Sequence, residues 1–171
     1  MYFLELLNGA LLTDILVMAL CLSGVLDGSA FPDSFKSSVV AKWYQSFGMG
    51  AVVSDVTIIM LGVILAKVLY PFIFRSFSFV KFIGLVVCIQ LIHDTLFASI
   101  FINLPSGKSK IVDVFQEYVK SPYNYFILLG DALMMIYTVL IMTFLQRYST
   151  NINIIFLIVL LYITPYLLFS I

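Results

Sequence analysis

Four aspartates, Asp14, Asp55, Asp94 and Asp131, each sit inside a long apolar run and recur 41, 39 and 37 residues apart. Their contexts are related. Gly9-Ala10-Leu11-Leu12-Thr13-Asp14-Ile15 and Gly50-Ala51-Val52-Val53-Ser54-Asp55-Val56 share the pattern Gly-Ala-x-x-Ser/Thr-Asp-apolar, and His93-Asp94-Thr95 and Gly130-Asp131-Ala132 are looser versions. Carboxyl groups in apolar surroundings have three uses: they carry protons, hold cations, or hydrogen-bond a neighbouring segment. Polar residues accompany them at helical spacing. Asn124, Asp131 and Thr138 repeat every seven residues, and Gln90 lies one turn before His93 and Asp94. The candidate proton or monovalent-cation path is therefore Asp14, Asp55, Asp94, Asp131, His93, Gln90, Asn124 and Thr138.

The elements that position these groups follow from the apolar runs. A spanning helix needs about 20 mostly apolar residues, and five stretches qualify: 3–25, 48–70, 79–102, 123–145 and 153–170. Backbone groups in lipid must be paired internally, which leaves helices or a closed barrel. A barrel alternates polarity over roughly ten-residue segments, whereas these runs are continuous. Helices are expected. The first run lacks a basic leading segment and exceeds the short apolar stretch of a secretory signal, so it is expected to stay.

The connections carry two further helices. After breaks at Asp27-Gly28 and Pro32-Asp33, Phe35, Val39, Trp43 and Phe47 recur every four residues, with Lys36, Lys42 and Gln45 off that stripe. After Leu104-Pro105-Ser106-Gly107, a second stripe of Ile111, Val112, Phe115, Tyr118 and Val119 opposes Lys110, Asp113, Glu117 and Lys120. Both suit an amphipathic helix at the membrane interface. The expected fold is all-α: one polytopic membrane domain over 1–171. It comprises a four-helix transmembrane bundle, two interfacial amphipathic helices and a peripheral fifth transmembrane helix at 153–170, interrupted by Pro165. The order span, amphipathic helix, span occurs twice, in candidate repeat units 3–70 and 79–145.

At 1.5 Å of rise per residue, all four carboxyls fall within about two turns of one depth. An ionised carboxylate at mid-bilayer costs about 2.5–3.5 kcal/mol even on the most forgiving scale. His93 is the one basic group at that depth. The others must be held neutral by a proton, wetted by a cavity, or neutralised by a cation. Gly48, Ala51, Gly62 and Ala66 form a small-residue stripe expected to pack closely on a neighbouring helix. Adjacent helical residues project about 100° apart, so His93 and Asp94 are not expected to pair. Trp43, Tyr44, Tyr70 and Tyr123 fall near span ends, where aromatic anchors gather.

Composition excludes several classes. The 171-residue chain is 63% hydrophobic and 11% charged, with a mean hydropathy of +1.13. Soluble domains are about 45–50% apolar and 25% charged. Nine basic residues balance nine acidic ones, which leaves no excess to hold a nucleic-acid backbone. Gly107-Lys108-Ser109 lacks the upstream glycine and strand of a phosphate loop. One histidine and no Glu-x-x-His pair exclude a di-metal carboxylate bundle. Cys21 and Cys88 form no Cys-x-x-Cys motif. No catalytic residue, metal site, cofactor or enzymatic activity is expected. The expected partners are the lipid bilayer, further copies or other membrane subunits, and a proton or monovalent cation.

Lys42-Trp43-Tyr44, Ala51-Val52-Val53-Ser54-Asp55-Val56, His93-Asp94 and Gly130-Asp131-Ala132 together resemble a group of multi-pass membrane proteins from large nucleocytoplasmic DNA viruses. The resemblance covers residues 36–145. It implies a viral membrane setting, either the internal membrane of a virion or a host membrane during infection, and brings no activity or site residues. Two functions are expected from the residues: a small proton or cation channel or transporter, or a non-catalytic structural or assembly component of a viral or cellular membrane.

Overall fold

A computed structural model describes residues 2–28, 37–120 and 125–171. Pro32, Asp33, Phe35, Lys36, Tyr123 and Asn124, on which several expectations rest, lie outside them. Among the described residues there are seven α-helices and no strand: α1 (Phe3–Ser23), α2 (Ser37–Phe47), α3 (Met49–Ile73), α4 (Phe79–Phe101), α5 (Lys110–Lys120), α6 (Tyr125–Leu145) and α7 (Thr150–Leu168). Five of them, all but α2 and α5, are long and apolar enough to cross a membrane. This is consistent with a multi-pass membrane protein.

Local chemistry sets the ends. Gly24 takes φ +67°, the left-handed conformation glycine adopts without a Cβ penalty, and its N–H closes α1 onto the Cys21 carbonyl. Ser149 caps α7, accepting from the Ile152 N–H. Proline does not stop these helices. Pro71 sits within the last turn of α3, and α7 runs through Pro165 to Leu168. The interruption expected at Pro165 is absent.

α1 packs on α3 and α6, and α4 completes the circuit by packing on the same two helices. α7 lies against α1. This central position explains the pattern of burial. In α1 56% of the spanning window is buried, against 11% in α4, whose remaining surface is left for lipid. A helix buried all round carries no single apolar stripe, so Glu5, Asn8, Thr13 and Asp14 can point to different neighbours of α1 and all be buried. The core gathers Leu6, Ala10, Met18, Ala51, Val86 and Met135, among others, from α1, α3, α4 and α6.

Close approach depends on small residues at two places. At Gly9 a Cβ would lie 2.9 Å from the Thr138 carbonyl oxygen, so α1 and α6 approach backbone to backbone there. Gly62 faces the end of the Met135 side chain, and Ala51 and Ala66 are fully buried. Gly48 belongs to a different role. It lies between α2 and α3 at φ +55° with open space beside it, so it turns the chain and does not pack helices.

Candidate functional site

α2 and α5 meet across the ends of the long helices. Lys42 pairs with Glu117, Lys110 donates to the Ser46 carbonyl at 2.9 Å, and the Trp43 and Phe115 rings meet edge to face at 5.4 Å. α5 is held onto the α4 turn by Gln116, which donates to the carbonyls of Phe101 and Leu104 and accepts from Ser106. The apolar stripe expected on α5 is only partly the buried one. Val112 is buried, but so are Val114 and Gln116, while Ile111 is exposed.

Consecutive residues of α2 then reach two different spans. Tyr44 donates its hydroxyl to Asp14 Oδ1 on α1 at 2.7 Å, and Trp43 donates its indole N–H to Asp55 Oδ2 on α3 at 2.8 Å. Burial first, and then the Asp14 and Asp55 carboxylates, push the Tyr44 hydroxyl well above the usual phenol range, so it stays a donor. Tyr44 is 3% exposed. It is not the interfacial anchor expected from its position, because the packing of α2 on α1 and α3 turns it inward. Tyr70 is corrected likewise. It is buried and orders the turn into α4, accepting the Ser78 N–H at 2.7 Å and donating to the Ser76 carbonyl at 3.1 Å.

The four aspartates are successive neighbours in the order Asp14, Asp55, Asp131, Asp94. Asp14 and Asp55 lie within hydrogen-bonding reach of one another, Asp55 within coulombic range of Asp131, and Asp131 within range of Asp94. Among the described residues, no N–H or O–H group donates to the buried Asp14 Oδ2. Glu5 and Asp14 are the buried charged side chains among the described residues. Asp55, Asp94 and Asp131 are half-buried, so the quartet is not uniformly sealed. Asp94 Oδ1 accepts from Gln90 Nε2 at 2.8 Å and contacts His93 Nδ1 at 3.0 Å. The pairing of His93 with Asp94 overturns the expectation from helical geometry. Two short side chains bending toward each other span the angular gap.

Asp55 and Asp131 open onto a cavity of about 510 Å³ enclosed by α1, α3, α4 and α6 and roofed by α2 and α5. Among the described residues its wall holds Thr13, Trp43, Tyr44, Gln90, Tyr118 and Tyr137 as further polar groups, carries no Lys, Arg or His, and is otherwise apolar. Asp14 and Asp94 are outside the wall. Thr138 donates to Thr13 at 3.0 Å just beyond the cavity.

Glu5, Asn8 and Asn153 make a second polar cluster that the sequence did not single out. Asn8 donates to the Asn153 carbonyl at 2.8 Å, and Asn153 donates to Glu5 Oε1 at 3.1 Å and to the Leu145 carbonyl at 3.2 Å. The signal available was the Glu5-x-x-Asn8 spacing, which places both on adjoining positions of α1 one turn from its start. The buried Met135 beside Gly62 is packing material, and Met134 lines the cavity.

Fold and site define a class: an all-helical, multi-pass membrane-type protein with acid groups gathered between its spans. No known family, no curated protein and no solved structure matches this chain.

Proposed function

We propose that this is an integral membrane protein whose acid-lined chamber carries protons or monovalent cations. One observation carries the proposal: Asp55 and Asp131 line a 510 Å³ chamber that has no basic group among its described wall residues and adjoins Asp14 and Asp94. Ionisable groups at this depth are costly and mark ion or proton pathways by default. Polar groups continue toward the other end of α1. Thr13 and Thr138 follow Asp14, and the Glu5, Asn8 and Asn153 cluster lies about 9–14 Å farther on at 1.5 Å per residue. α2 and α5, at the membrane interface, would form the chamber's vestibule. The resemblance to viral membrane proteins supports a virion or infected-host membrane as the setting.

The test is flux in proteoliposomes under an imposed proton, sodium or potassium gradient. Wild type is expected to dissipate one gradient faster than protein-free vesicles, and Asp55→Asn, Asp94→Asn or Asp131→Asn to abolish the gain while helical content is retained. Wild type that is silent for all three ions overturns the proposal. A second reading, a structural component of a membrane assembly, is favoured by the bonds Tyr44–Asp14, Thr138–Thr13 and Asn8–Asn153, each of which ties two helices together. Under that reading the variants change stability or assembly alone. The exposed face of α7, with Ile155, Ile158 and Tyr162, is then the surface offered to further copies or subunits.

A further inference from the structure

We infer that the chamber binds a lipophilic amine drawn from the bilayer. Most of the wall around Asp55 and Asp131 is apolar, so an occupant that stays there needs an apolar body, whereas an ion in transit does not. A neutral apolar molecule would fill the space but leave acid groups without a partner. Among the described residues the Asp131 carboxyl makes no hydrogen bond or ion pair, and its neighbour in charge is another acid, Asp94. Trp43, Tyr44, Phe115, Tyr118 and Tyr137 present rings to the same space, and aromatic faces attract a cation. An ammonium group on an apolar body satisfies the carboxyl, the rings and the apolar wall together. The volume of about 510 Å³ falls in the roughly 300–1,000 Å³ range of small-molecule sites.

The route of entry is built into the helix packing. α1 and α6 press together at Gly9 and Thr138. Farther toward α2, the chamber wall includes Leu16 and Leu20 of α1 and Leu133 and Tyr137 of α6. All four are also exposed, at 44%, 43%, 41% and 54%. Wall residues this accessible place an opening between α1 and α6, and between spanning helices such an opening faces acyl chains. Binding rests on the chamber proposed above for ion transport but needs no flux, so the two are scored apart.

Trp43 is the chain's single tryptophan and lies on the chamber wall, so its emission reports occupancy. The probe is N,N-dimethyl-3-phenylpropylamine titrated into proteoliposomes, beside its carbon isostere 4-methylpentylbenzene. The amine is expected to give a saturable change in Trp43 emission, with the isostere binding at least tenfold more weakly. Asp131→Asn is expected to weaken amine binding at least tenfold. Gly130→Leu, which adds an apolar side chain to the chamber wall on α6 and replaces no carboxyl, is expected to do the same and keeps the test intact if Asp131→Asn does not fold. Equal binding of amine and isostere, no saturable change, or wild-type affinity in the folded variants overturns the inference. Wild type that is silent for all three ions yet binds the amine overturns ion transport and leaves the ligand inference standing.

Discussion

Tyr44 hydrogen-bonds Asp14 at 2.7 Å across thirty residues of sequence, so a short connecting helix supplies the donor for the quartet's one fully buried acid. The bond does two things. It satisfies one oxygen of a carboxyl that water does not reach, and it pins α2 over the chamber.

Tyr44→Phe keeps the ring and removes the donor. A buried acceptor stranded in this way costs about 1–3 kcal/mol, so thermal unfolding in detergent should shift down accordingly. In an Asp14→Leu background the same change should cost much less, because the acceptor is already gone. An equal loss in both backgrounds would show that the bond is not the source.

The two close-packed glycines should respond differently to alanine. At Gly9 the new Cβ meets backbone, the Thr138 carbonyl, which cannot move aside. Overpacking of that kind costs about 1–3 kcal/mol. At Gly62 the obstacle is the tip of Met135, a flexible side chain that can take another rotamer, and the cost should stay below about 1 kcal/mol. Melting temperatures of Gly9→Ala and Gly62→Ala, compared side by side, check the order.

Asn153 joins α7 to α1 and to the end of α6 through three bonds. Polar contacts between membrane helices average about 0.6 kcal/mol, with a maximum near 1.7. Asn153→Ala should destabilise by an amount at or above the top of that range, since it strips partners from both Glu5 and the Leu145 carbonyl. Asn151→Ala, two residues away on the exposed face, should stay within about 0.5 kcal/mol. Chemical unfolding in mixed micelles distinguishes them.

Between α2 and α5, rings should matter more than charge. Lys42 and Glu117 are 42% and 60% exposed, and exposed pairs are worth about 0–1 kcal/mol. Phe115 contacts Trp43, Phe97 and Phe101 with centroids at 5.4, 5.5 and 4.9 Å. Phe115→Ala should therefore cost about 2 kcal/mol or more, against little for Glu117→Gln. The reverse order in a melt would move the weight to the ion pair.

Long apolar runs made the five long helices legible, since membrane-spanning length and hydropathy need no tertiary context. Rise per residue converts position along each run to depth, which is how the four aspartates were expected at one level, but which of them are neighbours depends on how α1, α3, α4 and α6 pack. What could not be read was direction. Nothing in the spacing of Trp43 and Tyr44 says that α2 turns them inward to Asp55 and Asp14, because that depends on how α2 docks on α1 and α3. Asn8 and Asn153 are 145 residues apart, and only the fold brings α7 alongside α1. Gly48 looked like part of a packing stripe because it keeps helical spacing with Ala51, yet the helix begins one residue after it.

The chamber itself is tested most directly by a hydrophobic carbodiimide, which enters the bilayer and reacts with protonated carboxyls. After brief treatment of the protein in liposomes, peptide mass spectrometry should find adducts on Asp131 and Asp55 and none on Asp14, which is sealed beneath Tyr44. Adducts on Asp14 at the same rate, or an unreactive Asp131, would contradict a lipid-facing chamber lined by those two acids.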